Sequence, residues 1–116
     1  AAAQGKPVLT HDQAEIIKRM AASVAAHELA DSILTDGIAE GVVRSPLNGV
    51  PCQIRVDWFN ASHQAIVDLK TSDDLTFFES DARRYGYAHQ MAFYRSVLAA
   101  AAQIDTHEIR VYMVAV

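Results

Sequence analysis

The apolar residues of this chain change their period at Gly37, and that change limits the folds open to it. Before Gly37, the residues Ile16, Ile17, Met20, Val24 and Ala25 recur at helical spacing, and Leu29, Ile33 and Leu34 extend the stripe. Thr10 followed three residues later by Gln13 is a capping-box pattern. A helix is therefore expected from about residue 11 into the mid-20s, then a second short helix, with Gly37 as the stop. After Gly37 the period drops to two. Residues 38–44 read as a strand and Asn48-Gly49 as a hairpin turn. Residues 53–59 read as a second strand, with Ile54, Val56 and Trp58 on one face and Gln53, Arg55, Asp57 and Phe59 on the other. A turn at 60–63 leads into a third strand over 64–71. Three strands on short turns make an antiparallel meander.

Helical spacing then returns. Ser72 or Asp73 is expected to cap a short helix and Tyr85-Gly86 to break it. Residues 87–102 are strong helix formers with apolar positions at 91, 94, 97, 98 and 101. Residues 107–116 close the chain as a strand. The expected class is α/β (α+β): a mixed sheet containing the meander, flanked by helices. At 116 residues the chain holds one domain, 1–116, with residues 1–9 as a loose leader. It begins without Met and stops on an apolar strand, so it is expected to be a piece of a longer protein.

Charge and composition narrow the function classes. The net charge is −4, so nucleic acid would have to be held by a local patch or bound cations rather than by bulk charge. Arg83 with Arg84 is one basic spot; Lys18 with Arg19 is another, read as solvated helix surface. The lone Cys52 builds no internal disulfide and fits a reducing, cytoplasmic setting. No apolar run reaches the roughly 18 residues of a membrane span, and no secretory signal pattern is present.

The chemistry concentrates in AIVDLKTS, residues 65–72. Asp68 and Lys70 are two apart on a strand and share a face. The hairpin turn before them sets Asp57 opposite residue 67 or 68, so Asp57 and Asp68 can converge. Two close carboxylates repel, and a divalent cation or a shared proton relieves the cost. Oxygen ligands of this kind suit Mg²⁺ or Mn²⁺, with the Leu69 carbonyl as a further ligand. Lys70 would then hold the attacking water or stabilise charge developing on a phosphate. A cross-strand salt bridge of purely structural role is the competing account of Asp68 and Lys70.

Asp57 in VDWF, Asp68 and Lys70 in AIVDLKTS, and Gln90 and Tyr94 in YGYAHQMAFY form an ordered set. That set resembles the PD-(D/E)xK nuclease superfamily, and within it the RecE-type exonucleases (exodeoxyribonuclease VIII-like), over roughly residues 35–116. The resemblance implies a restriction-endonuclease-like core and a Mg²⁺-dependent (or Mn²⁺-dependent) exodeoxyribonuclease. Such an enzyme degrades double-stranded DNA ends in recombination, of phage or host, by attack of a metal-activated water on phosphodiesters. Asp57, Asp68 and Leu69 would bind metal, and Asp57, Asp68, Lys70, Gln90 and Tyr94 would form the catalytic set. Gln90 and Tyr94, at i and i+4, would line the site from one helix face; read without the family, they are a surface amide and a core aromatic. The family also implies a homo-oligomeric ring around DNA, a single-strand annealing partner and an upstream His ligand. No residue matches that His clearly. His27 is the nearest candidate; the alternative is a ligand in the parent protein outside this nuclease-core fragment, which would leave the fragment inactive alone. The alternative function is a non-catalytic nucleic-acid- or protein-binding module of the same fold, with Asp68 and Lys70 as a structural pair.

The remaining candidates are weaker. Glu40, early in the first strand, is either a secondary site residue or a solvent-facing carboxylate. Glu79 reads as surface, His63 as part of a hairpin turn, and His89 as pointing to a different helix face from Gln90. Asp73 and Asp74 read as helix caps. Tyr85 and Tyr87, with Arg83 and Arg84, read as groups that touch a DNA backbone or stack on a base.

Overall fold

The structure, a computed structural model, describes residues 5–116. Residues 1–4 of the expected leader lie outside them, and residues 5–9 form no helix or strand and are exposed. Helix α1 (His11–Ala26) starts at the expected capping box: Thr10 Oγ1 accepts from Gln13 N–H, and Gln13 Oε1 accepts from Thr10 N–H. Helix α2 (Glu28–Leu34) follows at once. Its cap is His27, whose Nδ1 accepts from the Ala30 N–H at 3.2 Å. The apolar stripe of α1 is only partly covered: Met20 and Val24 are half-buried, whereas Ile16 and Ile17 stay exposed.

Strands β1 (Ile38–Leu47) and β2 (Val50–Asn60) are longer than the sequence suggests. Pro46 and Pro51, outside the expected strand spans, face each other across the hairpin. Asn48 (φ 50°) and Gly49 (φ 80°) take the left-handed conformations of a two-residue turn, and Leu47 pairs with Val50 directly. Strand β3 (Ala65–Lys70) runs antiparallel to β2, and β4 (Arg110–Ala115) lies parallel to β3, giving a mixed sheet in the order β1-β2-β3-β4. A 3₁₀ turn at Thr106–Glu108 occupies what reads as the start of that last strand, because Asp105 and Glu108 form a capping box there. Between β3 and β4 run a 3₁₀ turn (Leu75–Phe77), α3 (Phe78–Arg84) and α4 (Tyr87–Ala102). Of the candidates Ser72, Asp73 and Asp74, the cap of the first turn is Asp74, whose Oδ1 accepts from Thr76 N–H at 2.9 Å. Gly86, at φ 67°, makes the expected break between α3 and α4.

The core lies between α4 and the sheet. Ile54, Val56, Ile66, Val97, Ala99 and Ile109 are buried together, with Phe59, Tyr94 and Leu98 packed on them. Burying a side chain such as Ile66 contributes about 1.5–3 kcal/mol. Met91 is buried as expected, whereas Ala101 is exposed.

Phe59 joins Ile54 and Val56 in this core, so the regular alternation expected through β2 does not hold past Asp57. The departure falls where the pairing across the hairpin lapses. Ala39 pairs with Trp58 and Gly41 with Val56, but Glu40 and Asp57 between them form no pair, and Glu40 sits at φ 53°. A left-handed non-glycine residue costs about 1–2 kcal/mol, so the sheet carries local strain next to Asp57.

Trp58 turns toward the end of α2, where its Nε1 donates to the Asp36 carbonyl at 3.1 Å. Gly37, at φ 149°, lets the chain pass that indole. A Cβ there would collide with the Phe59 carbonyl oxygen and the Trp58 ring. Gly37→Ala is expected to destabilise the domain by about 3 kcal/mol, read as a lower urea midpoint; an unchanged midpoint would show that this passage is not tight.

Candidate active site

The site forms where β2 and β3 part. Their pairing ends at Trp58 opposite Val67. One step further, Asp57 and Asp68 come opposite each other, and the Leu69 N–H donates to Asp57 Oδ2 at 2.8 Å instead of to the β2 backbone. The two carboxylates predicted to converge therefore do so, Asp57 exposed and Asp68 only 3% exposed.

Asp68 and Lys70 point to the α4 side, as their two-residue spacing requires. Lys70 Nζ lies 2.9 Å from Asp68 Oδ2, but off the hydrogen-bonding direction, so that buried oxygen accepts no hydrogen bond. The contact is an ion pair, with most of the Lys70 side chain covered as well. Lys70 Nζ donates instead to Gln90 Oε1 at 3.1 Å, and Gln90 Nε2 donates to Tyr94 OH at 3.2 Å. Asp68, Lys70, Gln90 and Tyr94 thus form one connected line from strand to helix.

Tyr87 also belongs to this line. Its ring centre is 4.3 Å from Lys70 Nζ, a cation–π distance. From the sequence Tyr87 reads as a DNA contact rather than as a partner of the lysine. The spacing of 87, 90 and 94, at i, i+3 and i+7, does put Tyr87 on the helix face of Gln90 and Tyr94.

Burial drives the Asp68 carboxyl above its ordinary value of 3.8; Lys70 opposes the rise, and the nearby Asp57 charge adds to it. The folded protein then holds a proton that the unfolded chain has already released. Asp68 therefore destabilises the metal-free fold as pH climbs from the ordinary value through the raised one. The stability of the wild type relative to Asp68→Asn is expected to fall over that window in urea titrations, and Mg²⁺ is expected to restore it only in the wild type. A difference that stays flat or rises with pH would contradict this.

These residues fit a divalent cation. Asp68 Oδ2 is a buried anionic oxygen with no hydrogen bond, Asp57 stands beside it, and the Leu69 carbonyl belongs to the residue that bridges them. Mg²⁺ keeps several waters and is commonly held by one or two carboxylates. Among the described residues, no three His, Cys, Asp or Glu side chains gather around one point. His27 is committed to capping α2, and His63 sits against Asn60 at the other end of the hairpin. Glu40 faces Arg55 at 3.9 Å, both exposed, and does not join the site. Glu79 is paired with Arg83 at 2.7 Å on the surface. His89 is exposed, and Lys18 pairs with Glu15 as solvated surface.

Two apolar clefts of ≈ 390 and ≈ 470 Å³ lie elsewhere, under α1 and α2. Leu69 and Thr71 line the larger one; they alternate with Asp68 and Lys70, so it opens on the opposite face of the sheet. No helix among the described residues is long and apolar enough to cross a membrane.

No curated protein matches the chain. The model of one family does match, over residues 2–116: PDDEXK-like domain of unknown function (DUF3799). The four-strand mixed sheet flanked by helices agrees with that match, and the chain belongs to this family of PDDEXK-like domains.

Proposed function

We propose that the domain is a Mg²⁺-dependent (or Mn²⁺-dependent) deoxyribonuclease of the RecE-like kind, an exonuclease acting on double-stranded DNA ends in recombination. The observation that carries this is the buried Asp68 oxygen without a hydrogen bond, set between Asp57 and Lys70. A bound Mg²⁺ would supply charge neutralisation at the phosphate and an activated water. The chain's own groups do the rest. Asp57 and Asp68 present the anionic oxygens. Lys70 offers an ammonium to charge developing on the phosphate. Gln90 and Tyr87 fix where that ammonium sits, and Tyr94 fixes Gln90.

A ring-shaped homo-oligomer, a single-strand annealing partner and a cytoplasmic setting are proposed on the family resemblance alone. The second reading, a binding module with a structural Asp68–Lys70 pair, draws on the lack of a third ligand among the described residues. Incubation with linear and covalently closed duplex DNA separates the two. Mg²⁺-dependent nucleotide release from the linear form alone is expected; no release from either form, with Mg²⁺ or Mn²⁺, would leave the binding module.

A further inference from the structure

Tyr85 and Tyr87 flank Gly86, whose left-handed turn joins α3 to α4. Residues on either side of such a turn would ordinarily diverge. Here their rings are stacked, with centres 6.0 Å apart and planes inclined by 28°. Phe78 backs Tyr87 at 6.1 Å. Tyr87 is partly covered, but Tyr85 is 61% exposed. An exposed ring held by a second ring is a rigid flat surface already oriented before any ligand arrives.

Cations stand at both ends of this pair. Lys70 lies over Tyr87, and the Arg84 guanidinium carbon is 5.6 Å from the Tyr85 ring centre. Arg84 has no carboxylate partner among the described residues, unlike its neighbour Arg83. Aromatic faces interleaved with cations are the pattern that takes bases by stacking and their phosphates by charge. The acidic balance of the whole chain makes this local patch the more distinct.

We infer that Tyr85, supported by Tyr87 and flanked by Arg84, is a stacking platform for an unpaired nucleobase at the end of a DNA strand entering the site. The base must be unpaired because inside a duplex both of its faces are already covered by neighbouring pairs. The platform continues directly into Lys70 through Tyr87, so a strand whose end rests on Tyr85 brings its backbone toward Asp68. This inference rests on the nuclease reading for what happens next, but base stacking itself needs no hydrolysis.

The test keeps the two apart. Binding of labelled duplexes to the intact protein is measured by fluorescence anisotropy in EDTA, where nothing is cleaved. One duplex is blunt and one carries a short single-stranded tail. The tailed duplex is expected to bind about tenfold more tightly; Tyr85→Ala is expected to erase that preference and Tyr85→Trp to keep it. Tyr85 is exposed, so circular dichroism should show both variants folded. Equal affinity for the two duplexes, a preference that survives Tyr85→Ala, or no binding at all would overturn the platform. A Tyr85-dependent preference without Mg²⁺-dependent cleavage would leave the platform standing and remove the nuclease. Cleavage without that preference would do the reverse.

Discussion

Asp68→Asn is expected to lower Mg²⁺-dependent DNA hydrolysis by about a thousandfold. The substitution keeps the shape of the side chain and removes one of two anionic oxygens at the heart of the site. It also removes the group that strains the metal-free fold. The carboxylate is buried beside Asp57, and its Oδ2 has no hydrogen bond. An amide there is neutral, so the folded state loses a desolvated charge. Activity and stability should therefore move in opposite directions at neutral pH: nucleotide release collapses while the urea midpoint of the metal-free protein holds or rises. A general loss of folding would drag both down together. Undiminished release from a folded Asp68→Asn protein would take Asp68 out of the chemistry.

Lys70→Ala should separate metal binding from turnover. Lys70 sits 2.9 Å from Asp68 and 3.1 Å from Gln90, with Tyr87 over it. Its removal takes a positive charge away from the carboxylates, so Mg²⁺ should bind at least as well as before. Turnover should nevertheless fall by about 10²–10³, the usual cost of losing one preorganised group that meets developing charge. The metal-free protein should also lose about 2–3 kcal/mol, because Asp68 is left buried without its counter-ion. Mg²⁺ titration by calorimetry, single-turnover cleavage and urea unfolding measure the three terms. Loss of Mg²⁺ binding together with activity would mean that Lys70 only holds the site in shape. Intact activity would mean that the ion pair is structural.

Much of this site is visible in the sequence because strand arithmetic is rigid. The two-residue period puts Asp68 and Lys70 on one face, and the short turn after Asn60 fixes Asp57 opposite Asp68. The i, i+4 spacing likewise joins Gln90 to Tyr94, now seen as a hydrogen bond. The limits of that arithmetic are equally physical. Nothing local announces that Glu40 turns left-handed where the β1–β2 pairing lapses, or that Phe59 packs on the same core as Val56. Both strands run past the expected spans to Pro46 and Pro51, and the facing of these two prolines inside the hairpin is a long-range fact. His27 reads as the nearest candidate for an upstream metal ligand until the chain folds and its Nδ1 meets the Ala30 N–H. Tyr87 shares a helix face with Gln90 and Tyr94 by spacing alone, but that this face meets Lys70 is a long-range fact.

The most direct test is anomalous diffraction from crystals soaked in Mn²⁺. A single strong peak is expected between the Asp57 and Asp68 carboxylates, within bonding distance of both and absent from Asp68→Asn crystals. Clear density showing those carboxylates with no ion between them, and Lys70 still closed on Asp68, would contradict a metal-dependent nuclease centre here.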